Sequence, residues 1–519
     1  MSSFAMIETL AGMTLDAAGP WRAIASSLGA HLPLPIAFAI DAELARFLPA
    51  LVLLAGGLLE LAGGAILRPR RGGALEVLTL LLPAIAFAAF LFARGIGLDV
   101  SGDPPGAELP SDGFELAYAA VVLGGVFLLI VRRSETGHDL DAEQELASDS
   151  GLAPERTRDR STSAAILLSS AALLAPLGSM SLLVLFAAVE SARLVLWAGR
   201  VGVSVDARHF VVEALPGLAL LLALAFLGAG GDGISLEPVQ GGAAARIGSV
   251  LLLAGLLGGA ALGPIGAIEI GASRIASPSR GASADDDLLA KFRSAVLPAA
   301  LVLLAYRAAR SLVASDPEQF ERLVLTACGA AACLLATAGG LFALAARPER
   351  DRRAMELVCF RIALLLVASA SALASPENAM AETALILVGA HLIIATLAPA
   401  SGSLERRARA RRSRPSARHL VLSLSSAGAP GTLGFWARWL ALRVTVENGL
   451  WLLAILGGLL WAFEAVAALA RIARTDAIDP VSRGARAEAR GDEVPVTSAI
   501  AAAIVIVLGV APSLISAFE

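Results

Sequence analysis

The sequence predicts an all-α, polytopic transmembrane protein of about fourteen helices. Three observations predict it: the amount of apolar residue, its arrangement in runs long enough to cross lipid, and the position of basic residues between those runs. Of the 519 residues, 57% are apolar and 17% charged, and the mean hydropathy is +0.74. Soluble domains average about 45–50% apolar and about 25% charged, so both departures point to lipid as the solvent. A spanning helix needs roughly 20 mostly apolar residues. The chain has room for many.

Apolar runs fall at 47–67, 74–95, 115–131, 163–179, 181–199, 208–229, 247–272, 294–314, 320–346, 354–374, 379–399, 419–445, 449–473 and 496–517. Residues 1–45 are mixed and read as a short amphipathic or irregular lead-in. They show no basic n-region followed by a small-residue cleavage site, so the first helix is expected to stay in the protein.

The basic residues test this count. Arg68, Arg70 and Arg71 follow the first run; Arg132, Arg133, Arg156, Arg158 and Arg160 follow the third; Arg274, Arg280, Lys291 and Arg293 follow the seventh. RPERDRR (347–353) follows the ninth, ERRARARRSRPSARH (405–419) the eleventh, and Arg471, Arg474, Arg483, Arg486 and Arg490 the thirteenth. Loops after even-numbered runs, such as GLDVSGDPPGAELPSD (97–112), are acidic or neutral. The positive-inside rule puts the odd loops in the cytoplasm and both termini on the outer, periplasmic side. One missed helix would scramble this alternation. The polar stretch 132–162 is expected to be a disordered cytoplasmic loop.

Two runs carry Gly and Pro in mid-span: LLAGLLGGAALGPIGAIEIG (252–271) in the seventh and LSLSSAGAPGTLGFWARWLAL (422–442) in the twelfth. Such interruptions survive in lipid only where the freed backbone groups face protein or water. A matched pair of interrupted helices is the signature of an inverted-repeat transporter. The expected organisation is therefore a lead-in (1–45), three helices with the polar loop (46–162), two inverted five-helix repeats (163–314 and 320–473) and a final loop and helix (474–519).

Ionisable residues inside spans cost at least about 2.5–3.5 kcal/mol at the helix centre, so each is a candidate for function. Glu190 lies in the fifth run, with Arg193 three residues on along the same helix face. Arg438 follows the twelfth-run break, and His391, Arg361, Glu213 and Glu464 lie in other spans. Each can equally form a structural ion pair between helices or snorkel to an interface.

Other chemistries find no support. Cys328, Cys333 and Cys359 form no CxxC pair, which argues against disulfides, iron–sulfur ligation and haem attachment. No phosphate-binding loop or dinucleotide fingerprint occurs. No cofactor is expected in this chain, and no nucleic acid as partner.

LSLSSAGAPGTLGFWARW (422–439) resembles the "SLAGIPP-x-x-GF-x-x-K" segment of the antiporter-like subunits of respiratory complex I, which are related to Mrp cation/proton antiporters and to membrane subunits of energy-converting hydrogenases. LLVLFAAVESARLVLWAG (182–199) is similar to their fifth helix, whose glutamate is the central acid. The cation after the twelfth-run break, and the lack of a long lateral helix after the last span, make the N-type subunit the nearer likeness. The resemblance implies a proton relay with Glu190 as the acid and Arg438 in the twelfth-helix cation position. It departs from the family pattern where Gly259 takes the seventh-helix lysine position and Pro298 falls near the eighth-helix one. Arginine keeps its charge in proteins, so Arg438 can bias a neighbour but not pass a proton.

Two mechanisms follow: a shortened path using Glu190, water and Glu269 or His391, with Arg193 as the partner of Glu190, or a scaffold that no longer pumps. The resemblance implies a membrane subunit of a proton-translocating NADH:quinone oxidoreductase-like or related complex in a bacterial inner membrane. Its partners would be the lipid bilayer and other membrane subunits, with quinone met through neighbouring chains. A stand-alone cation or solute transporter and a purely structural subunit are the alternatives.

Overall fold

The computed structural model describes residues 46–66, 73–100, 112–147, 156–178, 181–198, 207–229, 243–275, 284–313, 331, 349–375, 378–397, 417–476 and 496–510. Among these the chain is helical, with no β-strand. Long apolar stretches have no other way to satisfy their backbone groups in lipid. The helices are α1 (Leu48–Ile66), α2 (Gly73–Val100), α3 (Asp112–Ala147), α4 (Arg156–Gly178), α5 (Leu182–Ala198), α6 (Ala207–Ala229) and α7 (Ala243–Ile275). Then come α8 (Ala284–Lys291), joined through a π-helical turn (Phe292–Val296) to α9 (Leu297–Val313), followed by α10 (Glu349–Ala374) and α11 (Ala379–Leu397). The chain continues with α12 (Ala417–Ala427), α13 (Leu433–Glu447), α14 (Trp451–Asp476) and α15 (Val496–Val510).

Every expected span except the ninth carries a described helix; 320–346 lies outside the described residues apart from Ala331, as does the lead-in 1–45. Among the described residues, seven helices are long and apolar enough to cross a membrane, and four shorter apolar helices accompany them. The protein is a multi-pass membrane protein.

The π turn, α9, α10 and α11 are buried nearly all round and form the centre, with α3 against them. Leu301, Leu303, Ile362, Leu365, Leu385 and Leu387 make this core. On the outside, α2 and α14 turn apolar faces outward, as Leu81, Phe92, Leu452 and Phe463 show. In water such faces would be an aggregation hazard; in lipid they match the solvent. Polar contacts tie the bundle: the Thr79 hydroxyl donates to Glu60 between α2 and α1, and Tyr118 donates to the Leu173 carbonyl between α3 and α4 at 2.6 Å.

Two expectations need correction. The seventh span is one helix, Ala243–Ile275, running through Gly263 and Pro264 rather than broken at them. A proline removes one i→i−4 bond, and a helix with many turns on either side continues past that loss. The polar stretch 132–162 is not mainly loop: α3 runs on to Ala147 and α4 begins at Arg156. Residues of good helix propensity such as Ala, Glu, Gln and Leu extend a helix already nucleated in the bundle. Arg132, expected in that loop, is buried, and its guanidinium caps α11 by donating to the Leu397 carbonyl.

Candidate functional site

The twelfth span is broken as expected, between α12 and α13, and the break explains its own residues. Gly428 adopts φ +77°, a left-handed conformation suited to glycine. Its N–H donates to the Ser425 carbonyl at 3.0 Å, and the Ala429 N–H to Leu424 at 2.9 Å. This is a Schellman ending. The last carbonyls of α12 still need donors. Arg438 supplies them from the second turn of α13: Nη2 donates to Ser426 O at 2.8 Å and Nη1 to Ser425 O at 3.4 Å. Trp461 Nε1 of α14 donates to Ala427 O at 3.2 Å. On the far side, the Ser425 hydroxyl accepts from the Gly434 N–H at 3.1 Å. A Cβ on Gly434 would lie 1.9 Å from the Ser425 carbonyl oxygen, so the two half-helices meet only because that residue is glycine.

Arg438 is wholly buried, at 0% exposure. Beyond the carbonyls, its Nη2 pairs with one oxygen of Glu464 on α14 and lies 3.2 Å from His391 Nε2 on α11. The other oxygen of Glu464 accepts from Arg361 Nε of α10 at 2.5 Å. Arg361 also donates through Nη1 to the Ala395 carbonyl at 2.9 Å. Four helices thus converge on one carboxylate held by two guanidinium groups, with an imidazole beside them. Trp461 faces the Arg438 guanidinium at 6.0 Å from the ring centroid. Arg438 Nε and His391 Nδ1 are buried without a hydrogen-bond partner among the described residues.

The Glu190 position is separate. Glu190 pairs with Arg193 at 2.8 Å within α5, with side chains 24% and 14% exposed respectively. Its carboxylate lies against Gly217 of α6, where a Cβ would come within 2.5 Å of Oε1. The structure therefore joins Glu190 to Arg193 and His391 to Arg438, but among the described contacts neither pair reaches the other. Glu269 lies on α7, with its side chain outside the described residues. A second polar group sits nine residues before His391 along α11: Glu382 accepts from Tyr306 at 3.2 Å and pairs with Arg310 at 3.0 Å.

Arg361 and Glu464 were legible only as costly charges within spans; that they complete the Arg438 group depends on which faces of α10 and α14 turn inward. Glu382 and Arg310 gave a weaker signal because they sit near helix ends, and Tyr306, in the middle of α9, because a tyrosine within a span carries no charge. Among the described residues no group of His, Cys, Asp and Glu could hold a metal. The arrangement can fix, orient and shield charge in a water-poor interior.

The fold and this buried charge group define a multi-pass helical membrane protein with one helix broken over an ion-paired arginine. No family model and no curated protein matches the chain. Solved structures do. It is similar to a chain of respiratory complex I from Thermus thermophilus with bound aureothin, at TM-score 0.59 and 19% identity, covering 90% of this chain and 98% of that one. It is also similar to a chain of the Mrp complex from Dietzia sp. DQ12-45-1b, at TM-score 0.63 and 16% identity, covering 92% and 96%. A chain of the membrane-bound sulfane sulfur reductase, an archaeal respiratory membrane complex, matches at TM-score 0.59 and 16% identity, covering 91% and 77%. At these identities the shared property is the fold.

Proposed function

We propose that this chain is an antiporter-like membrane subunit of a multi-subunit, respiratory-type ion-translocating complex, with no redox centre of its own. The observation that carries this reading is the break between α12 and α13 with Arg438 buried beneath it, set in a fold shared over nine tenths of the chain with chains of respiratory complex I and of an Mrp complex. Within it, Glu190 with Arg193, and Arg438 with His391 and Glu464, are the two places where charge and hydration would couple to a neighbouring subunit. The two five-helix repeats would carry one such place each.

A second reading is favoured by a specific observation. The central cations here are arginines, which hold their charge, and both acids are already ion-paired, Glu190 to Arg193 and Glu464 to two partners. A charge that neither titrates nor changes partner passes nothing on, so the chain would then serve as a non-pumping membrane scaffold in the same complex. Purifying a tagged copy gently from native membranes and identifying what travels with it tests both. Other antiporter-like subunits and a peripheral redox arm are expected; recovery of the chain alone would overturn both and favour a stand-alone transporter. Glu190→Gln in the assembled complex separates the two: lost proton transfer with normal assembly favours the relay, and unchanged transfer favours the scaffold.

A further inference from the structure

α14 shows how this bundle treats a charge within a span. Its outward face, from Leu452 through Ile455, Leu459 and Phe463 to Val466, is apolar, while its acid, Glu464, is turned inward to two arginines. α5 does the reverse. It buries Leu182, Leu185, Val189, Ala192 and Leu196 and turns Leu183, Ala187, Leu194 and Trp197 outward. Positions 183, 187, 190, 194 and 197 advance by alternating fours and threes, the spacing of one helix face. Glu190 therefore stands in the outward stripe itself, with Arg193 at its edge.

The depth is wrong for a surface charge. α5 doubles back from the end of α4, a helix long enough to span, and packs along it. Glu190 is the ninth of the 17 residues of α5, about 12 Å from either end. Its ion pair turns Arg193 back toward that centre. Among the described residues Arg193 has no partner but Glu190, reached through Nη1, and the second oxygen of Glu190 has none. Most of the five N–H donors of the guanidinium are thus left to whatever covers the helix. Hydrocarbon offers them no acceptor, and a charged group at mid-span belongs against protein or water. Around the pair the surface is apolar, since α6 exposes Leu215 and Leu218 beside it. A polar centre within an apolar face fits a packed helix, where interhelical hydrogen bonds hold spans together. A second copy of the chain fits less well. A two-fold axis along the membrane normal would set Glu190 level with the copy's Glu190, and Arg193 level with the copy's Arg193.

We propose that the α5–α6 face is covered by a transmembrane helix of a different subunit. That helix carries, at mid-span, a side chain with an acceptor oxygen for the remaining N–H groups of Arg193, among apolar residues that meet Leu183, Leu194, Leu215 and Leu218. The inference rests on the reading of this chain as one subunit of a larger complex, and names the face by which it docks. The probe is p-benzoylphenylalanine, placed singly at Leu194, Leu218 or Ile455 of the full-length chain, all exposed positions, and irradiated in native membranes before tagged purification. From 194 and 218 the expected product is one discrete adduct with a different membrane protein. Its attachment should map to an apolar span, within about two turns of a residue with a side-chain oxygen. From 455 lipid adducts are expected. In the double variant Glu190→Gln, Arg193→Met, the adduct from 194 is expected to fall about tenfold, the worth of about one interhelical hydrogen bond. Should that variant fail to insert, the cross-links of the otherwise unaltered chain decide the matter. An undiminished yield in an inserted double variant, the same adducts from 455 as from 194, or adducts from 194 and 218 only with lipid or a second copy would overturn the proposal. If other subunits still travel with the tagged chain in that case, only the docking face falls; if the chain comes alone, the subunit reading falls with it.

Discussion

Arg438 does two jobs that no other side chain can combine. It caps the carbonyl end of α12 and holds Glu464 and His391 at once, which takes several donors fixed in one plane. Lysine carries its charge on one nitrogen at the end of a shorter side chain, so it loses the Nη1 contact to Ser425 O and sits farther from the partners of Nη2. Arg438→Lys is therefore expected to destabilise the protein by about 2–3 kcal/mol, the worth of one or two charge-assisted hydrogen bonds, measurable as a lower thermal midpoint in detergent. Glu464 is the more sensitive partner. Glu464→Ala strands two buried cations and is expected to cost about 3–5 kcal/mol, whereas Arg361→Met leaves Glu464 its pair with Arg438 and should cost clearly less. Equal losses for Glu464→Ala and Arg361→Met would show that Glu464 is not the shared counter-charge.

The break is an element in its own right, and its glycines are not interchangeable. Gly428 and Gly431 both have positive φ, at +77° and +78°. A Cβ at Gly431 meets nothing within 4 Å, but at Gly428 it would lie 2.4 Å from Trp461 Nε1. Gly431→Ala should thus cost only the backbone strain, about 1–2 kcal/mol, and Gly428→Ala more, with Arg438 and Trp461 displaced. The comparison is read from thermal midpoints and from tryptophan fluorescence, which Gly428→Ala alone should shift. α15 belongs to the same element: Trp436 Nε1 donates to the Gly509 carbonyl at 2.8 Å, and a Cβ on Gly509 would lie 2.3 Å from Gly431 O. Gly509→Leu is expected to lift α15 from the break and lower the midpoint, although it lies far from α12 in the chain.

At the scale of the molecule, the outward apolar faces of α2 and α14 and the inward charges follow one rule, that lipid accepts apolar surface and protein must hide charge. Orientation is testable there. Reporter domains fused after Leu404 should report a cytoplasmic position, and fusions after Ser375 an external one; the reverse would invert the positive-inside reading. Much of the fold could be read from residues because spans are long, and periodic charge in the loops supports their count. The break at 428–432 could be read because Gly-Ala-Pro-Gly cannot continue a helix. The break expected around Gly263 and Pro264 did not appear, because a lone proline costs one hydrogen bond in a helix that is long on both sides of it and packed along α6.

By itself the sequence determined the solvent, the all-helical, multi-pass class and the candidate charges, since each depends on composition and on local spacing along the chain. Glu190 and Arg193 are of this kind, three residues apart on one helix face. Only the tertiary structure decided that Arg361, His391, Arg438 and Glu464, on four helices and up to 103 residues apart, share one buried site. Helix rotation and crossing select which of several intramembrane charges meet, and they are set by side-chain packing summed over the whole bundle. No local pattern carries that sum.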